Sequence, residues 1–100
     1  MIKHIVMWKI ESVNGLSKRD TALQIKQELE ALNGKIDGLL KLEVGIDFLE
    51  SEASYDVVLV SELESKEALS YYQDHPLHVK AATEVVKPAA ISRVVVDYEV

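Results

Sequence analysis

The stretch YYQDHPLHVK, residues 71–80, concentrates the side chains that exchange protons near neutral pH. It holds two of the chain's 3 histidines and two of its 4 tyrosines. Histidine accepts a proton near pH 7, and a phenol within ~3 Å of an imidazole forms a usable proton-transfer pair. Tyr72 and His78 are therefore candidate catalytic residues. The imidazole would be the base, and the phenol would act as the acid or stabilise a developing enolate oxygen.

Helical spacing directs both side chains inward. Ala82 and Val85 follow His78 at four and seven residues, which places the imidazole at the edge of a core-facing stripe. Tyr72 shares a helix face with Ala68, four residues before it. An alternative interpretation stays open, in which the phenol and the imidazole fill space in the core and satisfy each other by hydrogen bonding.

The third histidine, His4, lies on the same face of the first predicted strand as Val6 and Trp8. An imidazole on an apolar sheet face needs a hydrogen-bond partner, because an unpaired buried polar group is costly. A partner on the 72–78 segment would create a polar island inside the core. Alternatively, His4 reaches solvent at the start of the strand. Trp8 is expected in the core, where its ring could also form one wall of a cavity.

A metal or cofactor site finds little support. His75 precedes Pro76 and is expected to cap the helix that begins there. A capping imidazole would point away from His78, so the Asp74, His75 and His78 group is weak evidence for a metal site, and we expect none. Cysteine is absent, which excludes a disulfide, a thiol nucleophile and a thiolate metal site. We expect no cofactor.

Length and composition indicate a single globular domain over residues 1–100, with 48% apolar residues. The formal net charge is −6 and the basic residues are scattered, so a nucleic-acid surface is not expected. No apolar stretch approaches the ~18 residues of a membrane span, and no secretory leader is visible at the start. We expect a cytoplasmic protein.

The positions of turns, caps and apolar periodicity predict the order β-α-β-β-α-β, which is the split βαβ arrangement of an α+β ferredoxin-like sandwich. The predicted strands are 4–10, 39–48, 55–63 and 90–100, and the predicted helices are 18–32, 66–72 and 76–87, the last one ended by Pro88.

Several predicted strands are apolar on both faces, notably at 57–60 and 94–96, yet the two helical layers can cover only one face of the sheet. The other face needs a partner, and a second copy of the chain is the simplest one. We therefore expect a homodimer in which two sheets pack into a shared barrel.

Five passages carry a family resemblance: KHIVMWK, KIDGLLKLEVGID, SYDVVLVSEL, YYQDHPLHVK and VVVDYEV. Together they span nearly the whole chain, which resembles the stress-responsive A/B barrel domain (Dabb) family of the dimeric α/β barrel superfamily. The resemblance implies a ferredoxin-like protomer, a homodimer whose sheets form the barrel, and a pocket between helices and sheet.

Most bacterial members of that family have no assigned reaction, and several plant members are stress proteins. One plant branch is a polyketide cyclase that works by cofactor-independent aldol condensation, with an acid–base pair matching Tyr72 and His78. A further pocket histidine of the cyclase corresponds to Val57 here. The substrate pocket is expected to include His4, Trp8, Val57, Leu59 and His75.

Two functions remain open. The first is an apolar pocket for a carbonyl or polyketide-like compound, with cyclase- or lyase-like proton transfer. The second is a non-catalytic stress-responsive or binding homodimer in which the Tyr/His cluster is structural.

Overall fold

The computed structural model describes residues 1–100. Its elements are β1 (Ile2–Ile10), α1 (Lys18–Glu30), β2 (Leu39–Ile46), β3 (Val57–Leu63), α2 (Lys66–Asp74), α3 (Pro76–Ala81), a π-helical turn (Ala82–Val86), α4 (Lys87–Ala89) and β4 (Ala90–Glu99). The strands form one sheet in the order β2-β3-β1-β4, and every neighbouring pair is antiparallel. This is the α+β ferredoxin-like fold that the sequence predicted.

Side-chain caps fix the helix starts. The Ser17 hydroxyl accepts a hydrogen bond from the Asp20 backbone N–H at 3.0 Å, and Ser65 caps α2 in the same way through Ala68. His75 caps α3, because its Nδ1 accepts the Leu77 N–H at 3.1 Å. Such caps satisfy backbone donors that have no partner inside the helix.

The core lies between the helices and one face of the sheet. Alternate residues of β1 are buried there, beginning with Ile2 and ending with Ile10. Ile25 and Leu29 of α1 lie against this face and are almost completely buried. His4 is the one histidine in the buried layer, with 3% of its surface exposed.

The second strand begins with an irregularity in its pairing. Leu39 is buried and Leu40 is exposed, because the pairing of β2 with β3 shifts register between Leu39 and Lys41. Phe48, predicted to lie in the strand, follows its end and is 92% exposed.

The last helix does not end at Pro88 as predicted. The Lys87 N–H bonds to the Ala82 carbonyl, five residues earlier, so the turn before Pro88 is π-helical. Pro88 then falls in the first turn of α4, where its missing N–H costs no helical hydrogen bond. The chain thus stays helical through Ala89.

The opposite face of the sheet is apolar and uncovered. Ile5 pairs with Val60 and Val96, and Met7 pairs with Val58 and Val94 in the same manner. Directly paired residues share a face, so these six side chains form one surface, the open sheet face. None of the helices is long and apolar enough to cross a membrane.

Candidate functional site

A cavity of about 460 Å³ lies between the sheet and the helical segment that runs from α3 into α4. Trp8 and Leu59 contribute to its wall from the sheet, Leu29 from α1 and Val86 from the π-helical turn. Its volume falls in the ~300–1,000 Å³ range of small-molecule sites. The π-helical turn contributes directly to the wall, and such turns are frequent at functional sites.

His78 lines this cavity from α3. Its Nδ1 lies 3.0 Å from the Gln73 carbonyl oxygen. A carbonyl can only accept, so the proton is on Nδ1 and this N–H donates. In the neutral ring, Nε2 is left as a lone-pair acceptor. Desolvation is the main cause that lowers the pKa of His78. The hydrogen bond to the Gln73 carbonyl opposes this shift, and the nearby basic groups His4, Arg93 and His75 add to it.

Tyr72 lies directly against His78 but is completely buried. The two rings pack with centroids 4.4 Å apart and planes tilted by 42°. The phenol hydroxyl has no hydrogen-bond partner, so the mutual hydrogen bond considered above is not formed. Burial also raises the pKa of the Tyr72 phenol, which therefore stays protonated at neutral pH.

His4 finds its partner on β4 and not on the segment that holds Tyr72. His4 Nδ1–H donates to the Asp97 carboxylate, its direct neighbour across the β1–β4 ladder. The His4 ring also meets the edge of the Tyr72 ring, with centroids 6.2 Å apart. Asp97 therefore holds the His4 ring at the cavity wall, as carboxylates do for catalytic and metal-bound imidazoles.

The cavity brings together four of the seven residues singled out from the sequence: His4, Trp8, Leu59 and His78. Tyr72 lies behind His78 rather than on the cavity wall. Two residues stand outside this site. Val57 is buried in the core, and His75 is held at the start of α3 by its cap and by an edge contact with the Tyr71 ring.

Sequence reasoning missed Asp97, Arg93 and Lys87. The register of β1 against β4 sets Asp97 opposite His4 and Arg93 opposite Trp8, which brings both to the cavity side of the sheet. The signal was the predicted strand order, in which β4 neighbours β1. No three histidine, aspartate or glutamate side chains come together as metal ligands.

Three solved structures share the fold over nearly the whole chain. A dimeric protein of unknown function from Bacteroides fragilis is 30% identical, with a TM-score of 0.84 and coverage of 99% of this chain and 95% of that one. A dimeric ferredoxin-like protein of unknown function from Thermobifida fusca is 26% identical, with a TM-score of 0.83 and coverage of 99% and 90%. A hydroxynitrile lyase from Passiflora edulis is 21% identical, with a TM-score of 0.79 and coverage of 99% and 92%, a likeness of fold alone.

No curated protein matches the sequence. The family model described as the Stress responsive A/B Barrel Domain, Dabb, matches residues 2–100. The match spans all four strands and every helix, including the segments that build the cavity. The chain therefore belongs to the Dabb family.

Proposed function

We propose that the cavity binds a small carbonyl compound with an apolar body and that His78 removes a proton from the carbon next to the carbonyl. The reaction would be of the cofactor-independent, cyclase- or lyase-like kind. One observation carries the proposal: His78 lies on the cavity wall with Nδ1–H committed to the Gln73 carbonyl, which leaves Nε2 as the available base. The lowered pKa of His78 keeps that base unprotonated at neutral pH.

In the proposed step the proton passes from the α-carbon to His78 Nε2, and the electron pair of the C–H bond moves into an enolate. A hydrogen-bond donor near the enolate oxygen stabilises the negative charge. The Tyr72 hydroxyl is a suitable donor because it is protonated and has no other partner. Because Tyr72 is buried and does not line the cavity, its hydroxyl reaches a ligand only when the side chains around it shift.

The same burial of Tyr72 favours a second candidate, a binding homodimer without catalysis. A phenol that is 0% exposed contributes packing, whatever its chemistry. In this case the cavity would still take an apolar ligand, while Tyr72 and His78 would serve as its structural wall.

Blocking the cavity tests whether it binds ligands. Val79 and Leu77 are both exposed residues of α3, but only Val79 lines the cavity. We expect Val79→Trp to abolish binding of 2-heptanone and 2-nonanone, measured by ligand-observed NMR, whereas Leu77→Trp keeps it. Binding that survives in Val79→Trp, or that is absent from the wild-type protein, would contradict the proposed site.

We further propose that two copies pair through the open sheet face. In the single chain Met7, Val94 and Val96 of this face are exposed, Val96 at 60%, and its other three side chains are half-buried. Contiguous exposed apolar patches of this kind mark interaction surfaces. The Bacteroides fragilis and Thermobifida fusca relatives, at 30% and 26% identity, are both described as dimeric.

A charge on this face should separate the copies. We expect Val96→Asp to convert a dimer, at twice the 11.2 kDa chain mass, into a monomer, because pairing would bury two unpaired carboxylates. Light scattering after size exclusion measures the mass. Leu23→Asp on the outer surface of α1 is the matched control and should remain dimeric. A monomeric wild-type protein at ~100 µM, a concentration where even micromolar interfaces persist, would refute this pairing.

A further inference from the structure

Every ionisable side chain in the cavity wall is basic. The four are His4, His78, Lys87 and Arg93, and no aspartate or glutamate lines the cavity. The chain as a whole has a net charge of −6. A cavity that gathers only basic groups in an acidic protein has an electrostatic character opposite to that of the surrounding surface.

Arg93 lies beside both the apolar wall and the candidate base. It pairs with Trp8 across the β1–β4 ladder, so the two residues share the helix-side face of the sheet. Its positive charge is also among the causes that lower the pKa of His78. The guanidinium is thus within electrostatic reach of the atoms that the proposed chemistry uses.

Neither Arg93 nor Lys87 has a carboxylate partner. The ion pairs of the structure are Lys3–Glu62, His4–Asp97, Lys18–Asp56 and Lys26–Glu30. Asp97, the acidic residue nearest to Arg93 along β4, is already bound to His4. Two cations therefore stand at one cavity, and no protein carboxylate forms an ion pair with either.

Resting on the proposed function, we infer that the ligand is an amphipathic organic anion, whose carboxylate binds Arg93 and Lys87 and whose apolar body lies against Trp8, Leu59 and Val86. A guanidinium binds a carboxylate through two parallel hydrogen bonds, and such charge-assisted bonds are about twice as strong as neutral ones. The apolar wall supplies the remaining affinity. The acidic surface repels anions in general, so anion binding at this cavity would be specific.

Matched keto acids and keto esters test the inference. The probes are 8-oxononanoate, 6-oxoheptanoate and their methyl esters, which keep the ketone and chain but remove the charge. We expect isothermal titration calorimetry to give at least ~10-fold tighter binding of each acid than of its ester. Raising the salt from 50 to 300 mM should weaken binding of the acid and leave the ester unchanged.

Substitutions then locate the anion site. Arg93→Gln should remove most of the acid–ester preference, and Arg93→Lys should retain part of it because the charge remains. Lys66→Gln, an exposed lysine at the start of α2 outside the cavity, should keep the full preference. Because Arg93 is exposed, these substitutions leave the core packing in place.

The outcomes separate this inference from the proposed function. Equal affinity for acid and ester would overturn the anion site while leaving a carbonyl-binding cavity intact. A preference that persists in Arg93→Gln would overturn the role of Arg93. Absence of binding by acids, esters and simple ketones alike would overturn both proposals.

Discussion

Replacing His78 with glutamine should lower the rate of proton removal from a bound methyl ketone by ~10²–10⁴-fold, the usual contribution of a positioned general base. The glutamine amide can still donate to the Gln73 carbonyl, which His78 Nδ1–H does now. It has no basic nitrogen to accept a carbon-bound proton. His78→Gln therefore removes the base with little change to the local hydrogen bonding. Exchange of the ketone α-protons with solvent, followed by NMR, measures the rate.

The pH profile gives this prediction a second readout. A base works in its unprotonated form, and the folded-state pKa of His78 lies below the ordinary value of 6.5. The wild-type rate should therefore rise with pH through a pKa below 6.5 and be level at neutral pH. His78→Gln should lack this rise, and Lys80→Gln on the same helix should retain it. A His78→Gln protein with the wild-type rate and profile would exclude His78 as the base.

Tyr72→Phe should raise the stability of the protein and lower the rate of proton removal from a bound ketone. The Tyr72 hydroxyl is buried without a partner, and leaving such a group unpaired costs ~1–3 kcal/mol. Phenylalanine keeps the ring against His78 and removes that cost, so unfolding should shift upward by ~4–8 °C per kcal/mol for a domain of this size. If the hydroxyl stabilises the enolate, the rate should fall by ~10²–10³-fold.

Calorimetry and the exchange assay on the same Tyr72→Phe protein separate the two candidate functions. A variant that is more stable but exchanges the ketone protons more slowly indicates that the hydroxyl is retained for chemistry at the expense of stability. A more stable variant with the wild-type rate would place Tyr72 outside the chemistry. A less stable variant would mean that the hydroxyl has a stabilising partner, contrary to the structure.

The sequence predicted the fold well because its local signals agree. His75 caps α3 as expected, and Ser17 and Ser65 cap α1 and α2 at the starts of helices that the apolar spacing predicted. The π-helical turn was not predicted, because Pro88 indicates a helix end by sequence and only the tertiary structure shows that a wider turn precedes it. The exposed position of Leu40 depends on a register shift in β2 that leaves no sequence signal.

The site was predictable in part. Helical spacing predicted that Tyr72 and His78 both face inward, but it could not show that their rings would pack at a tilt and leave the phenol hydroxyl unpaired. The partner of His4 depends on register. The VVV run of β4 has no alternation to fix that register, so Asp97 could not be assigned to His4 from local pattern.

The most direct test of the account is solvent exchange of ligand protons in D₂O. The wild-type protein is saturated with whichever of the methyl-ketone probes binds tightest, and the ¹H signals next to the carbonyl are followed by NMR. The account predicts loss of these signals faster than in buffer, with His78→Gln, equally saturated, giving a rate ~10²–10⁴-fold below wild type. A ketone that binds in the cavity yet exchanges at the buffer rate would contradict the account and assign the cavity to binding alone.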